Sequence, residues 1–248
     1  MKEQTILFDL DDTLIHCNRY FDFVIDQFVD RMLTWFSGHQ LTPQHIKKKQ
    51  VEIDLAGVQI HGFKPERFPK SFVETYHWFS NVLGRETSET EEAHLMDLGH
   101  TVYSYTVEPY PLMHETLDAL RSAGHKLYLY TGGDATIQMK KVADSGLHDY
   151  FDDRVFVTVH KTKEYMKSLV HEQRFDPRRT WMIGNSVRTD VLPALHAGIH
   201  TIYIPAHQDW EYNTGTIDVE PQGAFYQLES LREVPPTIDE YVKKTASL

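Results

Sequence analysis

Thr5-Ile6-Leu7-Phe8-Asp9-Leu10-Asp11-Asp12-Thr13-Leu14 is the stretch of this 248-residue chain that decides the fold. Its apolar run has no helical period and is typical of a central strand of a parallel sheet, buried on both faces. Three carboxylates follow within four positions. They repel each other unless a cation neutralises them, and their hard oxygens suit Mg²⁺. The stretch therefore predicts a buried strand that ends in a cation site, with an acidic turn in which Asp12 or Thr13 caps a helix as the alternative.

Further along the chain, short apolar runs alternate with helical patterns. The strands predicted after the first comprise residues 126–130, 154–158, 180–183 and 200–204, with 224–228 as an edge strand. Strands that alternate with helices imply right-handed crossovers and a parallel sheet. The sequence therefore predicts an α/β fold, in which residues 1–15 and 109–248 form a Rossmann-like parallel sheet with helices on both faces.

Residues 16–108 show helical patterns only. Apolar residues at helical spacing predict helices over 21–36 and 72–83, and Ser88 with Glu91 predicts a capping box at the start of another. Between the first two helices, the turn-forming residues of 57–65 predict an irregular segment. We therefore expect an all-helical domain inserted into the α/β core, with a long loop that could face the core.

The composition argues against several classes of partner. A formal net charge of −11 disfavours nucleic acid and anionic membranes, which attract basic surfaces. Cys17 is the only cysteine, so an intramolecular disulfide cannot form. The first residues run directly into the predicted strand without a signal peptide, and no apolar stretch approaches the length of a membrane span. A cytoplasmic protein, monomeric or homodimeric, is the expectation.

Polar residues recur where the predicted strands end. They are Asp9 and Asp11 after the first strand, Thr131 and Gly132 at the second, Lys161 or Lys163 beyond the third, and Asn185 and Asp190 after the fourth. The carboxyl ends of parallel strands lie at one edge of a sheet, so these residues are expected to converge. Carboxylates, a hydroxyl, an ammonium and glycine-rich turns suit Mg²⁺ together with a phosphoryl group. Residues 205–210 are a weaker candidate to border the same cleft.

This arrangement resembles the haloacid dehalogenase superfamily over nearly the whole chain. The first family motif, Asp-x-Asp-x-Thr after a strand, is matched by Asp9 to Thr13, and the second, a Thr or Ser at a strand end, by Thr131. The motif lysine is matched by Lys161 or Lys163, and the acidic fourth motif by residues 184–190. The helical insert between the first and second motifs looks like the family's C1-type cap, which would close over the site.

The resemblance implies a role for each catalytic and phosphate-binding residue. Asp9 would be the nucleophile that forms an aspartyl-phosphate, and Asp11 the acid that protonates the leaving oxygen and then activates water. Thr131, Gly132 and Lys161 would hold the phosphoryl oxygens. Lys161 is preferred to Lys163 because it lies nearer the strand end.

The resemblance also implies a magnesium site, formed by Asp9, the backbone carbonyl of Asp11, Asp190 and Asn185. The family usually has Asp at the position of Asn185. A neutral amide can still offer one oxygen to Mg²⁺, but it lowers the negative charge of the site by one. A weaker metal site is therefore expected.

The resulting functional hypothesis is a Mg²⁺-dependent phosphatase that acts on a small phosphorylated metabolite. A phosphomutase that uses the same aspartyl-phosphate stays open, as does a catalytically silent module that binds a phosphorylated metabolite. Haloacid dehalogenation is disfavoured, since it needs neither a metal nor the second acid. The determinants of substrate choice are expected in the cap loop of about residues 57–70.

Overall fold

The computed structural model describes residues 2–206 and 210–246. The chain divides into two compact units, Met1–Asn18 with Val107–Leu248, and Arg19–Thr106. We call them the sheet unit and the helical unit. Among the described residues, no helix has both the length and the apolar character that crossing a membrane requires.

The regular structure of the described residues includes six strands and ten α-helices, besides short 3₁₀ and π-helical turns. The strands are β1 (Thr5–Phe8), β2 (Lys126–Gly132), β3 (Val155–Thr158), β4 (Thr180–Gly184), β5 (His200–Tyr203) and β6 (Phe225–Gln227). The helices are α1 (Asn18–Trp35), α2 (Pro43–His61), α3 (Arg67–Leu83), α4 (Glu89–His100), α5 (Met113–Ser122), α6 (Ala135–Asp144), α7 (His148–Phe151), α8 (Lys163–Glu172), α9 (Leu192–Ala197) and α10 (Val234–Ala246).

The sheet is parallel throughout, in the order β3-β2-β1-β4-β5-β6. This order confirms the predicted parallel sheet and places residues 224–228 at its edge, as expected. The chain fills one side of β1 first, with β2 and β3, and then crosses to the other side with β4. The resulting topological switch point lies between β1 and β4, where open α/β sheets bind their ligands.

Helices cover both faces of the sheet, as predicted. Trp181 and Met182 are consecutive in β4, so their side chains point to opposite faces. Met182 packs in one buried cluster with Met166 of α8 and Ala194 of α9, whereas the indole of Trp181 lies 5.1 Å from the ring of Tyr241 in α10. Because both faces are covered, the strand is fully buried and its sequence is apolar without alternation.

The helical unit packs its own apolar core, which lies among its helices. Buried side chains of α1, α3 and α4 meet there, including the stacked rings of Phe28 and Phe72, whose centroids lie 4.3 Å apart. All regular structure described in this unit is helical, which agrees with the predicted all-helical insert. Its assignment as a cap of the C1 type stays a prediction.

The prediction of an irregular segment over 57–65 is wrong for its first half. The helix α2 continues to His61, so the connection to α3 is only residues 62–66. Gly57 misled the prediction because glycine is usually read as a helix breaker. Here it lies inside α2, where a Cβ would approach the guanidinium of Arg67 to 2.8 Å. The guanidinium of Arg67 in α3 thus lies against the part of α2 where Gly57 has no side chain.

The predicted capping box at α4 is also wrong. Ser88 does occupy the N-cap position, but its side chain makes no capping hydrogen bond. The carboxylate of Glu91 instead accepts two hydrogen bonds from Arg85, at 2.6 and 2.7 Å, and one from the hydroxyl of Tyr76. A charge-assisted bidentate pair is stronger than a capping hydrogen bond, so Glu91 pairs with Arg85 and not with the backbone at the start of the helix.

Candidate active site

Asp9 follows β1 at the carboxyl edge of the sheet and is 6% exposed. Its backbone N–H donates to the carbonyl of Ile183 at 2.9 Å, which continues the pairing with β4. One carboxylate oxygen, Oδ1, accepts a hydrogen bond from Nζ of Lys161 at 2.7 Å. The other, Oδ2, accepts from the hydroxyl of Thr13 at 3.0 Å. The backbone and the side chain of Asp9 are therefore both held by hydrogen bonds at the topological switch point.

Lys161 connects Asp9 with a second buried carboxylate. Its ammonium contacts Oδ1 of Asp9 and also Oδ1 of Asp190, and its side chain is 3% exposed. Nζ also lies over the ring of Tyr130, 4.8 Å from its centroid. Lys163 begins α8 with a side chain 54% exposed, and in the described part of the chain Glu164 is its only ion-pair partner, with Oε1 3.9 Å from Nζ. The structure thus brings Lys161, and not Lys163, to the carboxylates.

Asp190 lies in a π-helical turn, Val187–Val191, that precedes α9. It is fully buried, and its Oδ2 accepts a hydrogen bond from the backbone N–H of Ser186 at 3.0 Å. This return toward β4 depends on Gly184, because a Cβ at that position would overlap the Asp190 carboxylate. π-helical turns are often found at functional sites, and this one aims a carboxylate at Lys161.

The electrostatics of this cluster follow from burial and charge. Burial raises the pKa of Asp9 to about 7, against the lowering influence of Lys161, and the neighbouring Asp190 and Asp11 add to the rise. Burial alone would lower the pKa of Lys161, but the carboxylates of Asp190 and Asp9 outweigh it and hold that pKa above its ordinary value. Two carboxylates therefore share one permanent cation, which leaves the cluster negative when Asp9 is ionised.

Asp11 projects to a different set of partners. Both of its oxygens accept hydrogen bonds from Nζ of Lys141, at 2.8 and 3.0 Å. Its Oδ2 also accepts from Nε2 of Gln138 at 2.9 Å, and the same nitrogen donates to the hydroxyl oxygen of Thr131 at 2.6 Å. Thr131 is fully buried in β2, next to Gly132. The second acid and the β2 hydroxyl are thus joined through one glutamine.

Sequence reasoning missed Gln138 and Lys141. Both lie on α6, one helical turn apart, and Gln138 is buried together with Val142 on the inner face of that helix. The available signal was a glutamine at a helix position where an apolar residue is expected. Gln138 follows the predicted Thr131 by only seven residues, so the helix that starts after β2 brings it back to the sheet edge.

Asn185 follows β4 and is 2% exposed, beside the hydroxyl of Thr13. The Thr13 oxygen lies 3.0 Å from Oδ2 of Asp9 and 3.2 Å from Oδ1 of Asn185, while Nδ2 of Asn185 has no hydrogen-bond partner among the described residues. A hydroxyl carries a single proton and can donate to only one of two acceptors. With the amide turned by 180°, Nδ2 donates to Thr13 and Thr13 donates to Asp9. The atom without a partner is then a buried amide oxygen, on the side chain that Thr13 joins to Asp9.

Asp12 is buried, and its carboxylate faces the segment that leads into α1. It is 7% exposed, with a backbone φ of 58°, and its carboxylate accepts hydrogen bonds from the backbone N–H groups of Cys17 and Asn18. It therefore orders the residues that lead into α1, which agrees with the capping alternative for this residue. Of the segment 205–210, residues 207–209 lie outside the described part of the chain.

The predicted site residues thus form two hydrogen-bonded groups at one sheet edge. Asp9, Lys161 and Asp190 make a buried ionic group, which Thr13 extends to Asn185. Asp11 and Thr131 make the second group. A buried carboxylate, an ammonium, and a second acid held separately provide a nucleophile, an anion-binding cation and a proton carrier. The catalytic, phosphate-binding and metal-binding roles of these residues stay predictions.

Comparison with known proteins agrees with this fold. A family model described as haloacid dehalogenase-like hydrolase matches residues 3–198. A glyceraldehyde 3-phosphate phosphatase of Methanothermobacter thermautotrophicus is 25% identical over 209 residues, which cover 81% of this chain and 85% of the relative. The pyrimidine 5'-nucleotidase PynA of Streptococcus pneumoniae is 25% identical over 211 residues, which cover 82% of this chain and 84% of the relative.

A solved structure shares the whole fold. It is a haloacid dehalogenase-like family hydrolase from Xanthomonas campestris, with a TM-score of 0.76 at 24% identity, and the match covers 96% of this chain and 91% of that one. Because the family model spans most of the sequence, and its match includes both hydrogen-bonded groups described above, this chain belongs to the haloacid dehalogenase-like hydrolases.

Proposed function

We propose that this protein is a Mg²⁺-dependent phosphatase that hydrolyses a small phosphomonoester through an aspartyl-phosphate on Asp9. The observation that carries the proposal is the ammonium of Lys161, which lies between the buried carboxylates of Asp9 and Asp190. A cation beside a buried carboxylate offsets the repulsion between that nucleophile and an anionic phosphoryl group. The phosphatase and nucleotidase relatives support hydrolysis of a phosphate ester.

In the first step, a carboxylate oxygen of Asp9 forms a bond to phosphorus while the bond from phosphorus to the leaving oxygen breaks. Asp11 gives its proton to that leaving oxygen, so the product departs as a neutral alcohol. Lys161 holds the phosphoryl oxygens, together with the hydroxyl of Thr131 and the N–H groups around Gly132. The step needs Asp9 ionised, and Lys161 favours that form against its burial.

In the second step, water attacks the phosphorus of the aspartyl-phosphate. Asp11, now a carboxylate, accepts the proton from this water, and the bond between phosphorus and the Asp9 oxygen breaks. Inorganic phosphate is released, Asp9 is again a carboxylate, and Asp11 is again protonated. One residue therefore acts first as the acid and then as the base.

The residues present fit a magnesium ion. Among the described residues, no three His, Cys, Asp or Glu side chains form a complete metal centre, so the ion would take the two carboxylates of Asp9 and Asp190, the backbone carbonyl of Asp11 and the amide oxygen of Asn185. The buried amide oxygen that the turned Asn185 leaves unpartnered is suited to this use. Mg²⁺ accepts such a mixed oxygen set and keeps waters in the other positions. When bound, the ion offsets the negative charge of the phosphoryl group.

The two alternative functions differ from the phosphatase in what happens to the phosphoryl group. A phosphomutase returns it to a sugar, and a silent binding module never transfers it. The paired carboxylates of Asp9 and Asp11, each held in its own hydrogen-bonded group, favour turnover over mere binding. The names of the relatives point to small phosphorylated metabolites as substrates, among them a triose phosphate and pyrimidine nucleotides.

The test is release of inorganic phosphate from para-nitrophenyl phosphate, glyceraldehyde 3-phosphate, nucleoside 5'-monophosphates, phosphoglycolate and sugar phosphates. We expect release with Mg²⁺ and none after chelation by EDTA, and no release by the Asp9→Asn variant, whose fold is checked by circular dichroism. Substantial activity of Asp9→Asn would contradict the covalent step. Transfer of phosphate between positions of a sugar without release would indicate the phosphomutase.

A further inference from the structure

Two polar side chains on α6 reach the sheet edge without belonging to any motif identified from the sequence. Gln138 is 2% exposed, and the side chain of Lys141 is 16% exposed. They lie three residues apart and therefore share one face of the helix. Burying the polar groups of a lysine and a glutamine costs free energy unless each has hydrogen-bond partners. The partners of these two side chains therefore indicate their roles.

Gln138 joins the second acid to the β2 hydroxyl. Its Nε2 donates to Oδ2 of Asp11 at 2.9 Å and to Oγ1 of Thr131 at 2.6 Å. An amide nitrogen has two protons, so both bonds can form at once. Because the Thr131 oxygen accepts from Gln138, its own proton is left for another acceptor. A phosphoryl oxygen held at this sheet edge is the acceptor that the proposed reaction supplies.

Lys141 fixes the Asp11 carboxylate from the other side. Its Nζ lies 2.8 and 3.0 Å from the two carboxylate oxygens, and 3.6 Å from Sγ of the buried Cys17. With Gln138 on Oδ2 and Lys141 on both oxygens, three contacts hold one carboxylate. A group held in this way keeps a single orientation, whereas a free aspartate samples several rotamers.

We propose that Gln138 and Lys141 are positioning residues, which hold Asp11 in line with the leaving oxygen and turn the hydroxyl proton of Thr131 toward the phosphoryl group. The inference rests on the proposed phosphatase function and deepens it. Neither residue exchanges a proton or a bond with substrate. Misplacing a catalytic group by about 1 Å can cost about 10²-fold in rate, so loss of these contacts is measurable.

The two residues predict different kinetic defects. Lys141→Met removes two of the contacts that hold Asp11, so kcat should fall by about 10–100-fold on an alkyl phosphate such as glycerol phosphate. On para-nitrophenyl phosphate kcat should fall by less than about threefold, because this leaving group needs little protonation. KM should stay the same within about threefold for both substrates, because phosphate binding is unchanged. Equal losses of kcat on the two substrates would overturn the role of Lys141.

Gln138→Leu disturbs Thr131 as well, so it should weaken binding of inorganic phosphate, measured as an inhibition constant raised by about three- to tenfold. Lys141→Met should leave that constant unchanged, since Lys141 contacts Asp11 and Cys17 but not Thr131. An unchanged inhibition constant in Gln138→Leu would overturn the role of Gln138.

The matched control is Lys140→Met on the same helix, since Lys140 is exposed and Asp144 is its ion-pair partner among the described residues. It should match the wild type in every assay. If Lys141→Met fails to fold, as judged by circular dichroism, Lys141→Gln keeps a hydrogen-bond donor and should show the same selective loss on the alkyl phosphate. A uniform loss in that variant would also overturn the inference.

Failure of the inference is distinguishable from failure of the proposed function. If the wild type releases phosphate and Asp9→Asn does not, the proposed function stands, and the α6 variants judge the positioning roles alone. If the wild type releases no phosphate from either substrate, the proposed function falls, and the inference that rests on it falls too.

Discussion

Lys161→Met removes the ammonium that lies between Asp9 and Asp190 while keeping the length of the side chain. The lysine side chain is 3% exposed, and its Nζ contacts both carboxylates. Removing one partner of a buried ion pair costs about 3–5 kcal/mol, because the remaining charge loses its compensation without regaining water. We therefore expect the free energy of unfolding, from urea titration at about pH 8 in EDTA, to fall by about 3–5 kcal/mol.

The loss should depend on pH with a definite sign. The pKa of Asp9 is already raised to about 7 by burial, against the influence of Lys161, and removing the cation raises it further. Below that pKa the Asp9 carboxyl is neutral and no longer repels Asp190. The destabilisation should therefore be smaller at about pH 5 than at about pH 8.

The matched control is Lys163→Met. The side chain of Lys163 is 54% exposed and lies 3.9 Å from the exposed Glu164, so its replacement should change stability by less than about 0.5 kcal/mol. Phosphate release should fall by about 10²–10³-fold in Lys161→Met and stay at the wild-type level in Lys163→Met. Equal effects of the two substitutions on stability and activity would refute the assignment of Lys161 as the motif lysine.

Three further predictions concern the metal site, a close contact and pH. Asn185→Asp should lower the Mg²⁺ concentration for half-maximal phosphate release, and Asp190→Asn should raise it sharply, because the charge on the oxygen ligands sets the affinity for the ion. An unchanged midpoint in Asn185→Asp would place this amide outside the metal's ligands. Gly184→Ala should reduce the free energy of unfolding by about 1–3 kcal/mol, measured in urea, because its Cβ overlaps the Asp190 carboxylate. Burial lowers the pKa of His200, and its Nδ1 accepts a hydrogen bond from the backbone N–H of Ala224 at 2.8 Å. The contribution of the neutral imidazole to the free energy of unfolding should therefore be fully present above about pH 6.5 and decrease below it. His200→Gln should show a smaller fall in the urea midpoint between about pH 7.5 and 5.5.

Features that depend on neighbouring residues could be read from the sequence. The apolar run of residues 5–8 predicted β1, and the alternation of strands and helices predicted the parallel sheet, because burial on both faces leaves no polar side to a strand. The convergence of Asp9, Thr131, Lys161 and Asn185 followed from the same rule, since parallel strands end at one edge. Even the preference for Lys161 over Lys163 rested on distance from a strand end.

Features that depend on distant partners could not be read in this way. The glycine inside α2 breaks the local helical pattern, yet the helix continues past it to His61, and Arg67 of α3 lies against that position. Glu91 is placed correctly for a capping box, but Arg85 provides a charged partner that outcompetes the backbone. Helix propensity and capping are worth about 1 kcal/mol or less per residue, so a single tertiary contact reverses them.

The same division applies to the site. The sequence by itself determined which carboxylates lie at the sheet edge, because strand ends and their order follow from patterns along the chain. Only the tertiary structure decided their partners: Lys161 between Asp9 and Asp190, and Gln138 with Lys141 around Asp11. Hydrogen bonds need atoms within about 3 Å in a definite direction. Such distances are set by the packing of whole helices against the sheet, which no local pattern of residues specifies.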